Sequence, residues 1–182
     1  MLSIDNDTIR DYLIFVLLTG TRKDESAKLQ WADVDLNDNS YVLRDPKNKR
    51  PIQLPLSDYL ADMLTKRKAN SNSAFVFPGD GTRGYLVEPK RQLAKVIEKT
   101  GMPFAMHDLR RTFVTIAESL DISSFAVKAL VNHKSGDDVT SGYIQLNVER
   151  LRKPMQTITD FILKSAALKD ATEIIPFKQV RG

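Results

Sequence analysis

The sequence predicts a mainly α-helical domain with one small antiparallel β-hairpin or sheet, an α+β arrangement. Two observations lead there. Apolar residues recur at helical spacing, behind recognisable start signals, over most of the chain. The stretch that departs from that spacing, Tyr41 to Leu56, holds two short extended runs around the turn-like Asp45-Pro46-Lys47-Asn48-Lys49.

Taken in order, Asp5-Asn6-Asp7 starts a first helix over Asp7–Leu18, and Thr19-Gly20 ends it. A second helix starts near Lys23, carries Glu25 and Leu29, and stops around Trp31. The Asp33-Val34-Asp35-Leu36 run with Asn37-Asp38-Asn39 then reads as a turn. Tyr41–Arg44 and Arg50–Leu56 are the hairpin strands. Pro51 and Pro55 lack the N–H that a ladder needs, so the second run lies at an edge or ends there. Ser57 caps a helix to about Lys68. A polar loop, a short extended piece at Ala74–Phe77 and a glycine-containing turn over Pro78–Gly84 follow. Pro89–Thr100 reads as a basic amphipathic helix closed by Gly101. The next helix, about His107–Leu120, has its apolar face through Leu109, Phe113 and Ile116. Ser123 or Ser124 opens another through Leu130. A loop and a short segment holding Tyr143 come before a last helix, about Val148–Ala167. Residues 1–168 are expected to form one domain, and 169–182 a flexible tail.

Composition narrows the chemistry. The 182 residues contain no cysteine, which excludes disulfides, a thiol nucleophile and a cysteine zinc site. The two histidines, His107 and His133, lie in no metal-ligand spacing such as H-E-x-x-H, so no metal is expected. The apolar run Leu13–Leu18 is too short to span a bilayer, and the start shows no signal-peptide pattern. A cytoplasmic protein without a membrane partner is the default expectation. The net charge is +4. It is segregated: Met1–Ser40 has four Lys/Arg against eight Asp/Glu, while Arg44–Lys68 and Arg83–Arg111 each have seven against three. That distribution fits a nucleic-acid partner and equally fits solvated helix faces.

Four pieces carry candidate chemistry. Arg22 stands at a helix–helix junction, with Glu25 three residues on and able to reach back. His107 and Arg110, also three apart, share a helix face. An imidazole beside the planar, permanently charged fork of an arginine suits a phosphate. Asn132-His133 and Tyr143 follow, and Lys47 occupies the hairpin turn. Singly, each also admits a structural role: a surface Arg–Glu pair, a capping histidine, a core tyrosine, a solvated lysine.

Their order and separation resemble the catalytic domain of the tyrosine recombinases, the phage-integrase family. The resemblance rests on Leu18-Thr19-Gly20-Thr21-Arg22-Lys23-Asp24-Glu25 with Leu29-Gln30-Trp31-Ala32-Asp33-Val34 after it. It rests further on Lys47 ahead of Ile52-Gln53-Leu54-Pro55-Leu56, on His107-Asp108-Leu109-Arg110-Arg111-Thr112, on Asn132-His133 and on Gly142-Tyr143-Ile144. It covers roughly residues 10–150. The loop from His133 to Tyr143 is one residue longer than the commonest family spacing.

The resemblance implies site-specific DNA recombination through a 3′-phosphotyrosine intermediate. Tyr143 would be the nucleophile. Arg22, Arg110 and His133 would stabilise the phosphoryl transition state. Lys47 would be the general acid, and His107 a proton acceptor or phosphate-orienting group. Glu25 would orient the site. It implies no cofactor, double-stranded DNA as partner, and a homotetramer on DNA in the full-length protein, with the isolated domain monomeric. Family members usually carry an N-terminal helical DNA-binding domain, which is absent from this chain. Lys90, Arg91, Lys95, Lys99 and Arg111 are expected on DNA phosphates. The competing readings are relaxation of DNA in the manner of a type IB topoisomerase and a non-catalytic DNA-binding module.

Overall fold

The computed structural model describes residues 4–44, 51–87, 89–132 and 147–167. Lys47, His133, Tyr143 and the tail from residue 168 onward lie outside the described residues.

Helix α1 (Asp7–Thr19) is the centre of the molecule. The Asn6 side chain accepts from the Ile9 N–H at 3.0 Å and caps its start. Gly20, at φ +64°, ends it, donating its N–H to the Val16 carbonyl. Ile9, Leu13, Phe15, Val16 and Leu18 are all buried, so α1 is covered on more than one side. Helices α2 (Lys23–Ala27), α3 (Asp58–Ala69), α5 (Met106–Ser119) and α7 (Glu149–Ser165) all pack on it. Phe15 meets Tyr41 edge-on at 5.4 Å and Phe77 at 5.5 Å, joining α1 to the sheet and to the extended segment before residue 78.

The second helix is shorter than the sequence predicts. It stops at Ala27, and a single 3₁₀ turn covers Trp31–Asp33. Between them the backbone runs extended against the segment at Phe75: Val76 N–H donates to the Leu29 carbonyl, and Trp31 N–H to the Ala74 carbonyl, both at 2.9 Å. That long-range pairing overrides the local helical tendency. The expected hairpin is a three-stranded antiparallel sheet in the order β1 (Val34–Asp35), β2 (Ser40–Leu43), β3 (Ile52–Pro55). Val34 and Asp35 pair with Tyr41 and Ser40, where the sequence predicts only a turn. The turn itself follows, with the Asp35 carboxylate accepting from the Asn37 and Asp38 N–H groups. The proline-flanked strand β3 is an edge strand, as expected, and α7 packs against it.

Ser57 precedes α3 but does not cap it. Its hydroxyl makes no hydrogen bond, and the Asp58 N–H is instead taken by the Gln156 side chain of α7 at 3.0 Å. Helix α4 (Lys90–Thr100) ends on Gly101 at φ +66°. Helix α6 (Ser124–Leu130) starts on Ser123, whose hydroxyl accepts from Ala126 N–H. Helix α7 buries Leu151, Met155, Ile158 and Ile162. No helix among the described residues is long and apolar enough to cross a membrane.

Among the described glycines, Gly20 is the one where a left-handed backbone coincides with a contact under 3 Å. A Cβ there would lie 2.5 Å from Phe113 Cδ1 on α5, and the left-handed φ already disfavours any side chain. Gly20→Ala is expected to cost about 2 kcal/mol of stability, read from urea denaturation. An unchanged urea midpoint would mean that α5 yields to the added carbon.

Candidate functional site

The site is assembled where α1 ends. Two arginines distant in sequence are held there by backbone carbonyls and one carboxylate. Arg22, between α1 and α2, gives its backbone N–H to Glu25 Oε2 at 2.9 Å and its Nη1 to Glu25 Oε1 at 2.7 Å. Glu25 thus grips both ends of the same residue, which orients the guanidinium. The same Nη1 lies 3.3 Å from the carbonyl of Asn132, at the end of α6. Asn132 is buried with φ +48°, an uncommon backbone state for a non-glycine residue.

Arg110 comes from α5 and is buried, with 9% of its surface exposed. Its Nη1 donates to the Gly20 carbonyl at 2.7 Å. Burial pushes its pKa down; the neighbouring Arg22 charge adds to this, and Glu25 opposes it. The guanidinium nevertheless stays protonated, because arginine starts far above neutral pH. Two guanidiniums near enough to repel, with the single carboxylate of Glu25 bonded to one and attracting the other, leave a net positive site. An oxyanion placed there would relieve the repulsion between them.

His107 occupies the first turn of α5 and is exposed. It lies between two grooves. One is lined by Lys23, Lys90, Leu93, Ile97 and Phe104. The other is shared with Arg110, Arg111, Thr115 and Lys128. Arg110 lies on the buried stripe of α5 with Met106, Phe113 and Ala117, and His107 sits at the exposed margin beside it. Asp108 accepts from the Ala105 N–H at 2.9 Å and steadies the start of the helix.

Among the predicted residues, Arg22, Glu25, His107 and Arg110 therefore converge on one region. Lys90, Arg91, Lys95 and Lys99 are exposed on α4, whose buried contact is Leu93. Arg91, Lys95 and Lys99, four apart, form a stripe. Arg111 is exposed and paired to Asp108 at 3.5 Å. Sequence reasoning did not single out Lys23, although it directly follows Arg22 and lines the groove beside His107. The carbonyls of Gly20 and Asn132 were also not singled out. A helix-ending glycine marks the first position, but no sequence signal says which distant arginine it will hold.

The family model described as "Phage integrase family" matches residues 1–150. The chain is 29% identical over 172 residues to the prophage integrase IntF of Escherichia coli K12, covering 91% of this chain and 37% of that protein. It is 31% identical over 164 residues to the tyrosine recombinase XerA of Thermococcus kodakarensis, covering 81% of this chain and 55% of that protein. The chain thus spans about half or less of the length of these relatives. Among solved structures, the integrase of mycobacterium phage Brujita superposes with a TM-score of 0.69 at 18% identity, over 84% of this chain and 52% of that one. That likeness carries the fold: a mainly helical domain with a small antiparallel sheet. With a family model matching most of its length and the same fold, the chain belongs to the phage integrase family of tyrosine recombinases.

Proposed function

We propose that this chain is the catalytic domain of a site-specific tyrosine recombinase, acting on double-stranded DNA through a covalent phosphotyrosine. The observation that carries this is the pair of guanidiniums, Arg22 and Arg110, held beside Glu25 with His107 near Arg110 on the same helix. Such fixed donors suit a phosphoryl group whose charge spreads over its non-bridging oxygens, and each is typically worth a few kcal/mol of barrier.

In the proposed reaction the Tyr143 oxygen attacks the scissile phosphorus. A bond from tyrosine oxygen to phosphorus forms as the bond from phosphorus to the 5′-oxygen breaks. Lys47 protonates the leaving 5′-oxygen, and His107 accepts the tyrosine proton or orients the phosphate. His133 adds a donor to the phosphate. A 5′-hydroxyl of a partner strand then attacks the phosphotyrosine and frees Tyr143, so the number of phosphodiester bonds is conserved and no nucleotide cofactor is consumed. The α4 stripe of Arg91, Lys95 and Lys99, with Lys90 and Arg111, is proposed to hold flanking phosphates. Assembly as a tetramer on two DNA segments, in the full-length protein, belongs to the same proposal.

The test is a nicked duplex carrying an attachment site selected from a randomised pool by the chain itself. After denaturation, wild type is expected to carry a protein–DNA adduct and Tyr143→Phe none. An adduct formed by both proteins would reassign the nucleophile. No adduct from wild type on a site it binds would sink the catalytic reading and leave a DNA-binding module.

A further inference from the structure

Three hydroxyls are buried around the turn that carries Arg22 and the Gly20 carbonyl on which Arg110 rests. Thr19 and Ser26 are 0% exposed and Thr21 1%. They form a connected chain. Thr19 Oγ1 donates to the Phe15 carbonyl at 2.7 Å, lies 2.8 Å from Thr21 Oγ1, and Thr21 Oγ1 in turn meets Ser26 Oγ.

Each hydroxyl has one proton, so the directions follow. Thr19 has spent its proton on the Phe15 carbonyl, hence Thr21 donates to Thr19. Ser26 then donates to Thr21. Its other neighbour, the Arg22 carbonyl, is farther away at 3.3 Å. The chain therefore runs one way, from α2 through Thr21 into the last turn of α1. The residues it pins are informative. The residue before Thr21 is Gly20, whose carbonyl holds Arg110. The residue after it is Arg22, whose N–H and guanidinium are both on Glu25. One peptide segment thus carries the anchor of one arginine and the backbone of the other, and Thr21 is its fixed point.

We infer that Thr21 is a positioning residue, setting the relative placement of Arg22 and Arg110 through the Ser26–Thr21–Thr19 hydroxyl chain. This rests on the reading of the two arginines as phosphate-stabilising groups. A shift on the order of 1 Å in such groups can cost about 100-fold in rate. DNA affinity, spread over many phosphate contacts, responds far less.

Thr21→Val is the test, since it keeps the shape and removes only the hydroxyl. It also leaves no donor stranded: Thr19 keeps the Phe15 carbonyl, and Ser26 turns to the Arg22 carbonyl. The expected result is a fall of roughly 10- to 30-fold in the single-turnover rate of adduct formation, with DNA affinity within about twofold of wild type. Thr21→Ser, which restores the hydroxyl, is expected to return the rate to within about threefold. A folded Thr21→Val protein with a wild-type rate overturns the inference, and so does a Thr21→Ser protein as slow as Thr21→Val. If Thr21→Val does not fold, Ser26→Ala, a favourable helix substitution, breaks the same chain and takes the same comparison.

A second measurement does not depend on catalysis. The side-chain Nε–Hε NMR signals of Arg22 and Arg110 should shift or broaden in Thr21→Val and return in Thr21→Ser. Wild type without an adduct defeats the catalytic reading alone, and the arginine signals still decide the positioning. Unchanged signals overturn it.

Discussion

Arg110→Lys is expected to slow covalent DNA cleavage by about 100-fold while leaving the fold intact. The formal charge is the same, so a loss reports the shape of the guanidinium and the ease with which it keeps its charge when buried. Arg110 commits one donor of Nη1 to the Gly20 carbonyl, which sets the plane of the guanidinium. A guanidinium has five N–H donors, so four remain for a phosphate in a fixed fork. An ammonium that reached the same carbonyl would have two protons left, without that planarity. It would also resist burial more strongly, because a compact ammonium holds its hydration shell tightly and shifts its pKa readily. The position is buried and already lies beside Arg22, so a lysine there is pushed toward its neutral form. The measurement is the single-turnover rate of adduct formation, with circular dichroism as the folding control. A rate within about threefold of wild type would remove Arg110 from the chemistry, given what one oriented donor normally contributes.

The second large effect concerns stability, away from the site. Arg67 of α3 is expected to be worth about 4 kcal/mol when replaced by alanine, because removing one member of a buried ion pair strands the other groups. Its Nη1 meets Asp11 Oδ2 at 3.1 Å, its Nη2 meets the Thr8 hydroxyl at 2.6 Å, and its Nε meets the Val76 carbonyl at 2.6 Å. The side chains of Arg67 and Asp11 are each only 10% exposed, and the guanidinium lies 5.3 Å from the centre of the Phe77 ring. This single residue ties α3 to α1 and to the segment at Val76. Asp11 retains Arg10 in the variant, which limits the loss. A urea titration reads it directly. The double variant Asp11→Leu/Arg67→Met should recover part of the stability, since an apolar pair of similar volume avoids the desolvation penalty. A single-variant loss below about 1 kcal/mol would show the pair to behave like an exposed one.

The parts of the site legible in the sequence are those made by neighbours along the chain. Glu25 stands three residues after Arg22, the spacing at which a carboxylate in the first turn reaches back to the residue before a helix. The spacing of His107 and Arg110 makes them neighbours on α5, and Phe113, three residues after Arg110, puts that arginine on the buried side. Gly20 and Gly101 mark helix ends because left-handed backbone is cheap only without a Cβ. What local rules missed had long-range causes. The strand Val34–Asp35 exists because β2 offers it a ladder, although its own residues read as a turn. The α3 cap comes from Gln156, 98 residues away, and leaves the nearer Ser57 hydroxyl without a partner.

By itself, then, the sequence determined the helical architecture, the small proline-edged sheet, and which polar residues were available for phosphate chemistry. These depend on periodicity, caps and short-range spacing. Only the tertiary structure decided that Arg110 turns inward onto a carbonyl 90 residues away, and that Arg22 reaches Asn132 across 110 residues. It also decided that a buried row of hydroxyls joins the residues on either side of the turn at Gly20. The physical reason is close packing. Gly20 leaves no side chain between the end of α1 and Phe113, so α5 can approach near enough for its arginine to find the turn's carbonyl. That approach is a property of two surfaces meeting, and no pattern along one strand of sequence encodes it.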